Sequence, residues 1–298
     1  MLICDTHCDT LHQLALGDPP GMLDVTREAL VTPGDTHVEC MAMYVHTGGM
    51  QEVPTIVQRE LAAFERIKKQ GFTQITEISQ AKADTANVLL TIEGGEAFGG
   101  DPCQVDAYAA KGVRMAAIVW NNENGLAHPA VSGSREGLTA LGQKLVARMR
   151  QCHMAVDISH LNERGSFEVL DSDVPPLASH SCAKALCDHP RNLTDAQIRA
   201  LSRAGGFVGV NFYGEFLKAD GRATLDTVVD HMAYLCDLGG EDFVGFGSDF
   251  DGIDVYPEGL RRAADLPKLL ERMRRRGFGE ALVEKIAGKN FDKYLSRV

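Results

Sequence analysis

The sequence predicts an α/β protein, a (β/α)8 or TIM-like barrel, from three observations. Short apolar or β-branched runs alternate with longer segments of helical period along the chain, which is typical of parallel strands joined by helices. There are eight such runs, the number of strands in a barrel of this kind. With 298 residues and 44% hydrophobic content, the chain is long enough to bury the core of one.

The elements follow from local composition. The predicted strands cover residues 2–4, 38–45, 88–92, 114–119, 155–158, 176–178, 207–211 and 243–247. Apolar spacing near the helical period predicts crossover helices, for example over residues 57–70, 138–152, 195–204 and 225–238. Thr194 and Thr224 each precede one of these helices as a start signal. Alternating units of this size close most simply into a barrel.

The chain is expected to form one domain over residues 1–298. No linker rich in Pro, Gly or Ser divides it, and no short-period repeat is found. Residues 266–298 are predicted to form two further helices packed on the barrel, with Gly277 and Gly279 between them. The basic stretch "RMRRRG", residues 272–277, is interpreted as a solvated helix end whose cations face the last carbonyl groups.

Composition excludes several classes of partner. Lys and Arg number 30 against 41 Asp and Glu, a formal net charge of −11, which disfavours nucleic acid and anionic membrane surfaces. No apolar run approaches the length of about 18 residues that spans a bilayer, and no signal-peptide pattern precedes the first strand. The eight cysteines are scattered without a C-x-x-C pair, so we interpret them as reduced thiols of a cytoplasmic protein.

Histidines and carboxylates follow the predicted strands at the points where they end. Barrel enzymes keep their chemistry at the carboxyl ends of the strands, so these side chains are expected to converge on the barrel axis. They are His7 and Asp9 in "DTHCDT", Glu93 in "LLTIEGGE", His160 in "AVDISHL", His180 in "ASHS" and Asp249 in "VGFGSDFDG".

This set indicates a metal centre. Three imidazoles and three carboxylates provide enough ligands for two divalent ions, with Glu93 able to bridge them, and such ligands suit zinc with a position left for water. A single histidine at a strand end is commonly a hydrogen-bonded core or capping residue, but several buried carboxylates together require cations. The sequence has no H-E-x-x-H, G-x-S-x-G or P-loop motif. The histidines at 12, 37, 46, 153, 189 and 231 are interpreted as helix or loop residues unrelated to the cluster.

The sequence resembles the membrane (renal) dipeptidase family of the amidohydrolase superfamily. The likeness runs from "DTHCDT" to "GKNF" near the end of the chain. Its most specific stretch is "ASHSCAKALCDHPRNL", residues 178–193, followed by "GGFVGVNFY" and "GSDFDG". Members of the family are binuclear zinc peptidases. The resemblance implies a barrel of the metal-dependent hydrolase type, a zinc-dependent dipeptidase that acts through a metal-bridging hydroxide, and a homodimer.

The resemblance also implies which residues hold the metals. His7 and Asp9, which match the family's H-x-D motif, would hold the first zinc ion. His160 and His180 match its two later histidines and would hold the second ion. Glu93, in the match to I-E-G-G, would bridge the two ions.

Two further residues would contact the substrate, as the resemblance implies. Arg191 matches the arginine that binds the terminal carboxylate of the substrate, and Asp249 matches the aspartate that contacts its amino group. Asp249 is also able to pass a proton to the leaving amine. A short substrate whose free amino group and free carboxylate both contact the site is a dipeptide.

The loop after the fourth strand departs from the family. Many members carry a histidine there that stabilises the oxyanion, whereas this chain reads "IVWNNEN" with Trp120 at the aligned position. His128, the Trp120 indole N–H, or an amide of Asn121 or Asn122 are alternative donors. We favour Trp120 as a wall of the substrate pocket.

Two other functions stay open from the sequence. The same chemistry would serve a metal-dependent amidohydrolase that acts on an N-acyl amino acid or a cyclic amide. A catalytically silent protein that kept the metals but lost the oxyanion donor is the third candidate.

Overall fold

The computed structural model describes residues 1–17, 22–47, 52–171 and 176–298. Each strand in this part of the chain is parallel to its neighbours. The strands are β1 Leu2–Cys8, β2 Thr36–Tyr44, β3 Phe72–Gln74, β4 Ala86–Glu93, β5 Met115–Ala117, β6 Ala155–Asp157, β7 Leu177–Ala178, β8 Phe207–Val210 and β9 Val244–Phe246.

Eight of these strands close into a barrel, which confirms the predicted fold class. The sheet runs in the order β2-β1-β9-β8-β7-β6-β5-β4, and β2 pairs with β4 to complete the ring. Each of the eight predicted strands overlaps one strand of this ring. The barrel thus brings the carboxyl ends of all eight strands to one face.

Two features of the sheet differ from the prediction. The short strand β3 was not predicted, and it pairs only with the first residues of β4, outside the ring. The first strand continues to Cys8, so His7 lies within it and not after it. Oδ2 of Asp5 and Nε2 of His7 in β1 are buried without a hydrogen-bond partner among the described residues, whereas other polar atoms of this strand are paired. The Thr6 hydroxyl, for example, donates to the carbonyl oxygens of Ser179 and Phe246 at 2.6 and 2.8 Å.

Helices surround the barrel. They are α1 Thr10–Leu16, α2 Met22–Leu30, α3 Val53–Lys68, α4 Gln104–Ala110, α5 Ala140–Gln151, α6 Glu163–Leu170, α7 Asp195–Arg203, α8 Gly214–Leu217, α9 Leu225–Gly239, α10 Leu266–Arg275, α11 Glu280–Glu284 and α12 Asn290–Leu295. Short 3-10 helices cover Ile78–Gln80, Gly95–Phe98, Ala130–Ser132 and Ala263–Asp265. Among the described residues, no helix combines the length and the apolar character needed to cross a bilayer.

The predicted helix starts are largely correct. Thr194 caps α7 in a reciprocal pair with Gln197, as its sequence position predicts. Helix α3 begins at Val53, four residues before the predicted start. Pro54 occupies its first turn, where a helix needs no N–H donor.

The C-terminal segment is helical and lies against the barrel. The second of the two predicted helices is divided, because a π-helical turn over Lys285–Lys289 separates α11 from α12. The Asn290 side-chain amide donates to the carbonyl oxygen of Val244 at 2.9 Å. The Phe291 ring lies 5.3 Å from the ring of Phe207 between centroids. These contacts join the segment to β8 and β9.

Gly247, directly after β9, allows the ends of β7 and β9 to approach each other. A Cβ atom at this position would lie 1.8 Å from the carbonyl oxygen of Ser179. Because the obstacle is backbone, it cannot rotate away. The absence of a side chain at Gly247 therefore brings the loop that carries Asp249 next to the loop that carries His180.

Replacing Gly247 with Ser should destabilise the protein by about 1 to 3 kcal/mol or more, because the added atoms overlap backbone. The measurement is urea unfolding followed by circular dichroism. Gly279→Ser is the matched control, since a side chain there meets no atom within 4 Å. Equal stability of the two variants would contradict the close approach at Gly247.

Candidate metal centre and active site

Three histidines from different strand ends come together at the carboxyl face of the barrel. The rings of His7 and His180 stack with centroids 3.8 Å apart. The Nε2 atoms of His160 and His180 are 3.0 Å apart. All three side chains are buried, so their nitrogens face one another with little access to bulk water.

Glu93, the last residue of β4, lies at the centre of these imidazoles. Its Oε1 atom is 2.8 Å from Nε2 of His160 and 3.4 Å from Nε2 of His180. Its Oε2 atom is 3.8 Å from Nε2 of His7. The two oxygens of one carboxylate therefore face two different groups of nitrogen ligands.

Asp9 and Asp249 complete the cluster on the side of His7. The His7 Nε2 atom is 3.5 Å from Oδ2 of Asp9 and 3.6 Å from Oδ1 of Asp249. Potential ligand atoms of these three residues all lie within 4.8 Å of one another, as do those of His7, Glu93 and His180. The structure thus brings together all six strand-end residues that the sequence singles out, while their roles as metal ligands stay predictions.

The chemical state of the cluster fits bound cations. Burial raises the pKa of Glu93 to about 7 and lowers the pKa of both His160 and His180 well below the ordinary value, so both imidazoles are neutral and offer lone pairs. Burial also acts to lower the pKa of His7, but the nearby carboxylates, led by Glu93, raise it to about 10. The buried Nε2 atom of His7 has no hydrogen-bond partner among the described residues.

A further layer of polar residues orients the two later histidines. Nδ1 of His160 lies 2.8 Å from Oδ1 of Asn121, and Nδ1 of His180 lies 2.7 Å from the hydroxyl of Ser179. That hydroxyl also donates to the carboxylate of Asp157. In this arrangement Nδ1 of each ring carries the proton, and Nε2 is left as a metal donor.

Asp249 is fixed in a similar way. The Asn211 side-chain amide donates to its Oδ2 atom at 2.9 Å, and its backbone N–H donates to the carbonyl oxygen of His7 at 3.0 Å. The φ angles of Asp249 and His160 are +64° and +68°, in the left-handed region that is uncommon for residues other than glycine. Such backbone strain persists where the surrounding structure enforces it, which is frequent at functional sites.

A cavity of about 540 Å³ opens above the cluster. Its lining includes both cluster residues and aromatic side chains. The lining residues with the clearest bearing on function are Asp9, His12, Tyr44, Glu93, Trp120, Asn121, His160, Tyr213, Phe216, Asp249, Asp251 and Asp254. This volume suits a small molecule.

Arg191 is close to the cluster but does not line the cavity. Its side chain is buried, and Nη2 donates to the carbonyl oxygen of His180 at 3.4 Å. The guanidinium carbon lies 5.4 Å from the ring centroid of Phe216, which does line the cavity. The Arg191 Nε atom is buried without a hydrogen-bond partner among the described residues. The Nε–H group of Arg191 is thus an unpaired donor in the described part of the chain and lies behind the residues lining the cavity.

Trp120 lies in the cavity lining, 5.0 Å from Tyr44 and 6.2 Å from His160 between ring centroids. Of the alternative oxyanion donors, His128 is turned to Glu123, with Nδ1 at 2.9 Å from Oε1. The Asn122 side-chain amide donates to Glu96 at 2.7 Å. Trp120 and Asn121 are therefore the two candidates at the cavity.

Several site residues were missed by the sequence reasoning. His12 lies on helix α1 outside the cluster, as the sequence predicts, but its place in the lining of the cavity was not predicted. His46 packs against Trp120 with centroids 5.5 Å apart. Asp157 carried a usable signal, since it is an acid at the end of an apolar strand three residues before His160. Asn211 and Ser179 carried no such signal, because Asn211 contacts Asp249 across 38 residues of sequence and the Ser179 hydroxyl contacts Asp157 across 22.

A closed parallel barrel with buried histidines and carboxylates at its carboxyl face defines a metal-dependent hydrolase. The family model described as "Membrane dipeptidase (Peptidase family M19)" matches residues 2–298. The chain therefore belongs to the membrane dipeptidase family, a family of metallopeptidases.

The chain is also similar to individual proteins. A metallopeptidase from Rhodobacter sphaeroides, crystallised with a phosphinate mimic of the dipeptide L-Ala-D-Ala, is 27% identical with a TM-score of 0.88, over 100% of this chain and 99% of that one. An uncharacterised Klebsiella pneumoniae protein from the pqqA 5' region is 38% identical over 74% of this chain and 86% of its own length. A dipeptidase named aclJ from Aspergillus oryzae is 33% identical over 70% of this chain and 51% of that protein. The match thus spans about half the length of this fungal relative.

Replacing Ser179 with Ala should weaken the binding of a divalent metal ion about 10- to 100-fold, as loss of a partner that orients a metal-bound histidine typically does. The variant removes the link between Asp157 and Nδ1 of His180. The measurement is zinc affinity in competition with a chromogenic chelator. Ser181→Ala is the matched control, because the buried Ser181 hydroxyl has no hydrogen-bond partner in the described part of the chain. Equal metal affinity of the two variants would contradict the role of Ser179 in orienting His180.

Proposed function

We propose that the protein is a dipeptidase that binds two zinc ions and hydrolyses the peptide bond of dipeptides. The observation that carries this proposal is the position of Glu93. Its Oε1 atom faces the Nε2 atoms of His160 and His180, and its Oε2 atom faces Nε2 of His7. Membership of the membrane dipeptidase family and the likeness to a metallopeptidase that binds a dipeptide mimic support it.

His7, Asp9 and Glu93 would hold the first ion, and Glu93, His160 and His180 would hold the second. Imidazole nitrogens and carboxylate oxygens are ligands that zinc accepts. Zinc ions in these positions would supply Lewis acidity towards the scissile carbonyl and make water available as a nucleophile at neutral pH.

The residues of the chain position the substrate and move its protons. Asp249, with its carboxylate held in place by Asn211, would contact the substrate amino group, or it would take the proton that the attacking water releases and deliver it to the amine that leaves. Arg191 would bind the terminal carboxylate through its planar guanidinium. Because Phe216 lines the cavity and contacts that guanidinium, the two side chains would form the carboxylate end of the pocket together. Trp120 would form the part of the wall next to Tyr44.

The purified protein should carry about two equivalents of zinc and release free amino acids from dipeptides. Removal of zinc by a chelator should abolish turnover, and added zinc should restore it; the measurements are elemental analysis and ninhydrin detection of products. N-acetylated dipeptides are the matched control, because an acetyl group removes the ammonium that Asp249 would contact. Equal turnover of blocked and free dipeptides would favour the amidohydrolase alternative, and zinc binding without any turnover would favour a silent metal-binding protein.

Arg191→Ala should raise KM for dipeptides at least about tenfold, since a charge-assisted hydrogen bond to the substrate carboxylate is lost. Zinc content should not fall, because the arginine is not a ligand. Steady-state kinetics and elemental analysis check both outcomes, with the exposed Arg164→Ala as the control. Loss of zinc at an unchanged KM would show that Arg191 supports the metal centre and not the substrate.

We also infer a reducing compartment, the cytoplasm, because all eight cysteines lie in the described part of the chain and none of them forms a disulfide. The homodimer and the single domain over residues 1–298 stay proposals. The contacts of residues 285–291 with β1, β8 and β9 support the second of these.

A further inference from the structure

A histidine that is not part of the metal cluster faces the substrate cavity. Helix α1 starts directly after Asp9 and places His12 in the cavity lining, with 16% of its side chain exposed. Its Nδ1 atom lies 2.7 Å from Oε1 of Glu60 on α3. With Nδ1 engaged, Nε2 is the ring nitrogen left for a ligand in the cavity.

Glu60 is buried to an unusual degree for a carboxylate. Its side chain has no exposed surface, and its Oε2 atom has no hydrogen-bond partner among the described residues. A carboxylate in such a place is costly unless it is paired, and the hydrogen bond that the structure describes for it goes to His12. A carboxylate behind a histidine fixes the orientation of the ring and directs its other nitrogen. We call these two residues the His12–Glu60 dyad.

The charge of the dyad limits what it can bind. With a neutral imidazole whose Nδ1 proton is hydrogen-bonded to the Glu60 carboxylate, the dyad carries one negative charge, and it is neutral only with a second proton on Nε2. Asp251, a further carboxylate of the lining, accepts a hydrogen bond from Thr10 of α1 and adds negative charge on this side, and the described lining contains no Lys or Arg. This side of the cavity therefore suits a hydrogen-bond donor with positive charge and disfavours an anion. Tyr44, whose ring lies 4.8 Å from the His12 ring, adds an aromatic face that also attracts cations.

The position of the dyad indicates which part of a substrate it meets. Tyr44 ends β2, and in the closed ring β2 is four strands from β7 in either direction. Arg191 follows β7, so the dyad lies across the barrel mouth from it. This step rests on the proposed function: with the substrate carboxylate at Arg191 and the scissile bond over the metal cluster, the N-terminal residue extends towards His12.

We propose that the His12–Glu60 dyad selects the side chain of the substrate's N-terminal residue and prefers one that ends in a cationic hydrogen-bond donor, as in lysine or arginine. His12 contacts the side chain directly. Glu60 acts through His12 and is a positioning residue.

The test compares three dipeptides that differ in one side chain: Lys-Ala, norleucine-Ala, which has a similar carbon chain without the ammonium group, and Glu-Ala. The zinc-loaded wild type should give kcat/KM in the order Lys-Ala, norleucine-Ala, Glu-Ala. In His12→Phe and in Glu60→Gln, the ratio of kcat/KM for Lys-Ala over norleucine-Ala should fall about tenfold, the typical worth of one charge-assisted hydrogen bond. The ratio compares two substrates on one variant, so a general loss of activity cancels.

His128→Phe is the matched control, because His128 also pairs with a carboxylate but lies outside the cavity lining. Its Lys-Ala to norleucine-Ala ratio should equal that of the wild type. An unchanged ratio in both His12→Phe and Glu60→Gln, or a wild-type preference for Glu-Ala, would overturn the selectivity role while leaving the dipeptidase intact. Failure of the zinc-loaded wild type to hydrolyse any of the three dipeptides would overturn the proposed function and this inference with it.

Discussion

The buried carboxylate of Glu93 among three imidazoles is the interaction on which the rest of the site depends. A carboxylate without water or a counter-charge is unstable in a protein interior. Here burial raises the pKa of Glu93 to about 7, and Asp9 and Asp249 lie on the other side of His7. So much negative charge in a small volume requires protons or metal ions, and neutral His160 and His180 offer lone pairs to the latter. The charge of the cluster therefore favours a bound cation before any likeness to known proteins is considered.

The barrel supplies the rigidity that such a cluster needs. The six clustered residues come from β1 and β4 and from the segments after β1, β6, β7 and β9, and hydrogen bonds tie these segments together. The Asp5 carboxylate accepts the N–H of Ser248 at 2.8 Å, which joins β1 to the loop that carries Asp249. Burial raises the pKa of Asp5 to about 6, so the fold accepts an energetic cost at this position to hold the loop. Positive φ angles at His160 and Asp249 are a second cost of the same kind.

The sequence was sufficient for the barrel and for the six clustered residues because both depend on local patterns. Apolar runs mark strands, and a polar residue at the end of a strand must lie at the face where the strands converge. Ser179 and Asn211, which orient residues of the cluster, could not be predicted in this way. Ser179 and Asp157 meet across neighbouring strands, and Asn211 reaches Asp249 across 38 residues of sequence. Likewise, β3 has three residues and pairs on one side only, so it leaves almost no periodic signal.

His12 shows why substrate preference is harder to predict than the metal centre. The metal cluster is built from strand ends, whose direction the barrel determines. The walls of the cavity are built from a helix start, from Tyr44 and from Trp120, and their roles depend on what packs behind them. His12 gains its orientation from Glu60, which is 48 residues away in sequence and wholly buried. A buried charge such as Glu60 determines which substrate atoms the lining residue in front of it can bind. Two chains with the same cluster can therefore differ in substrate preference.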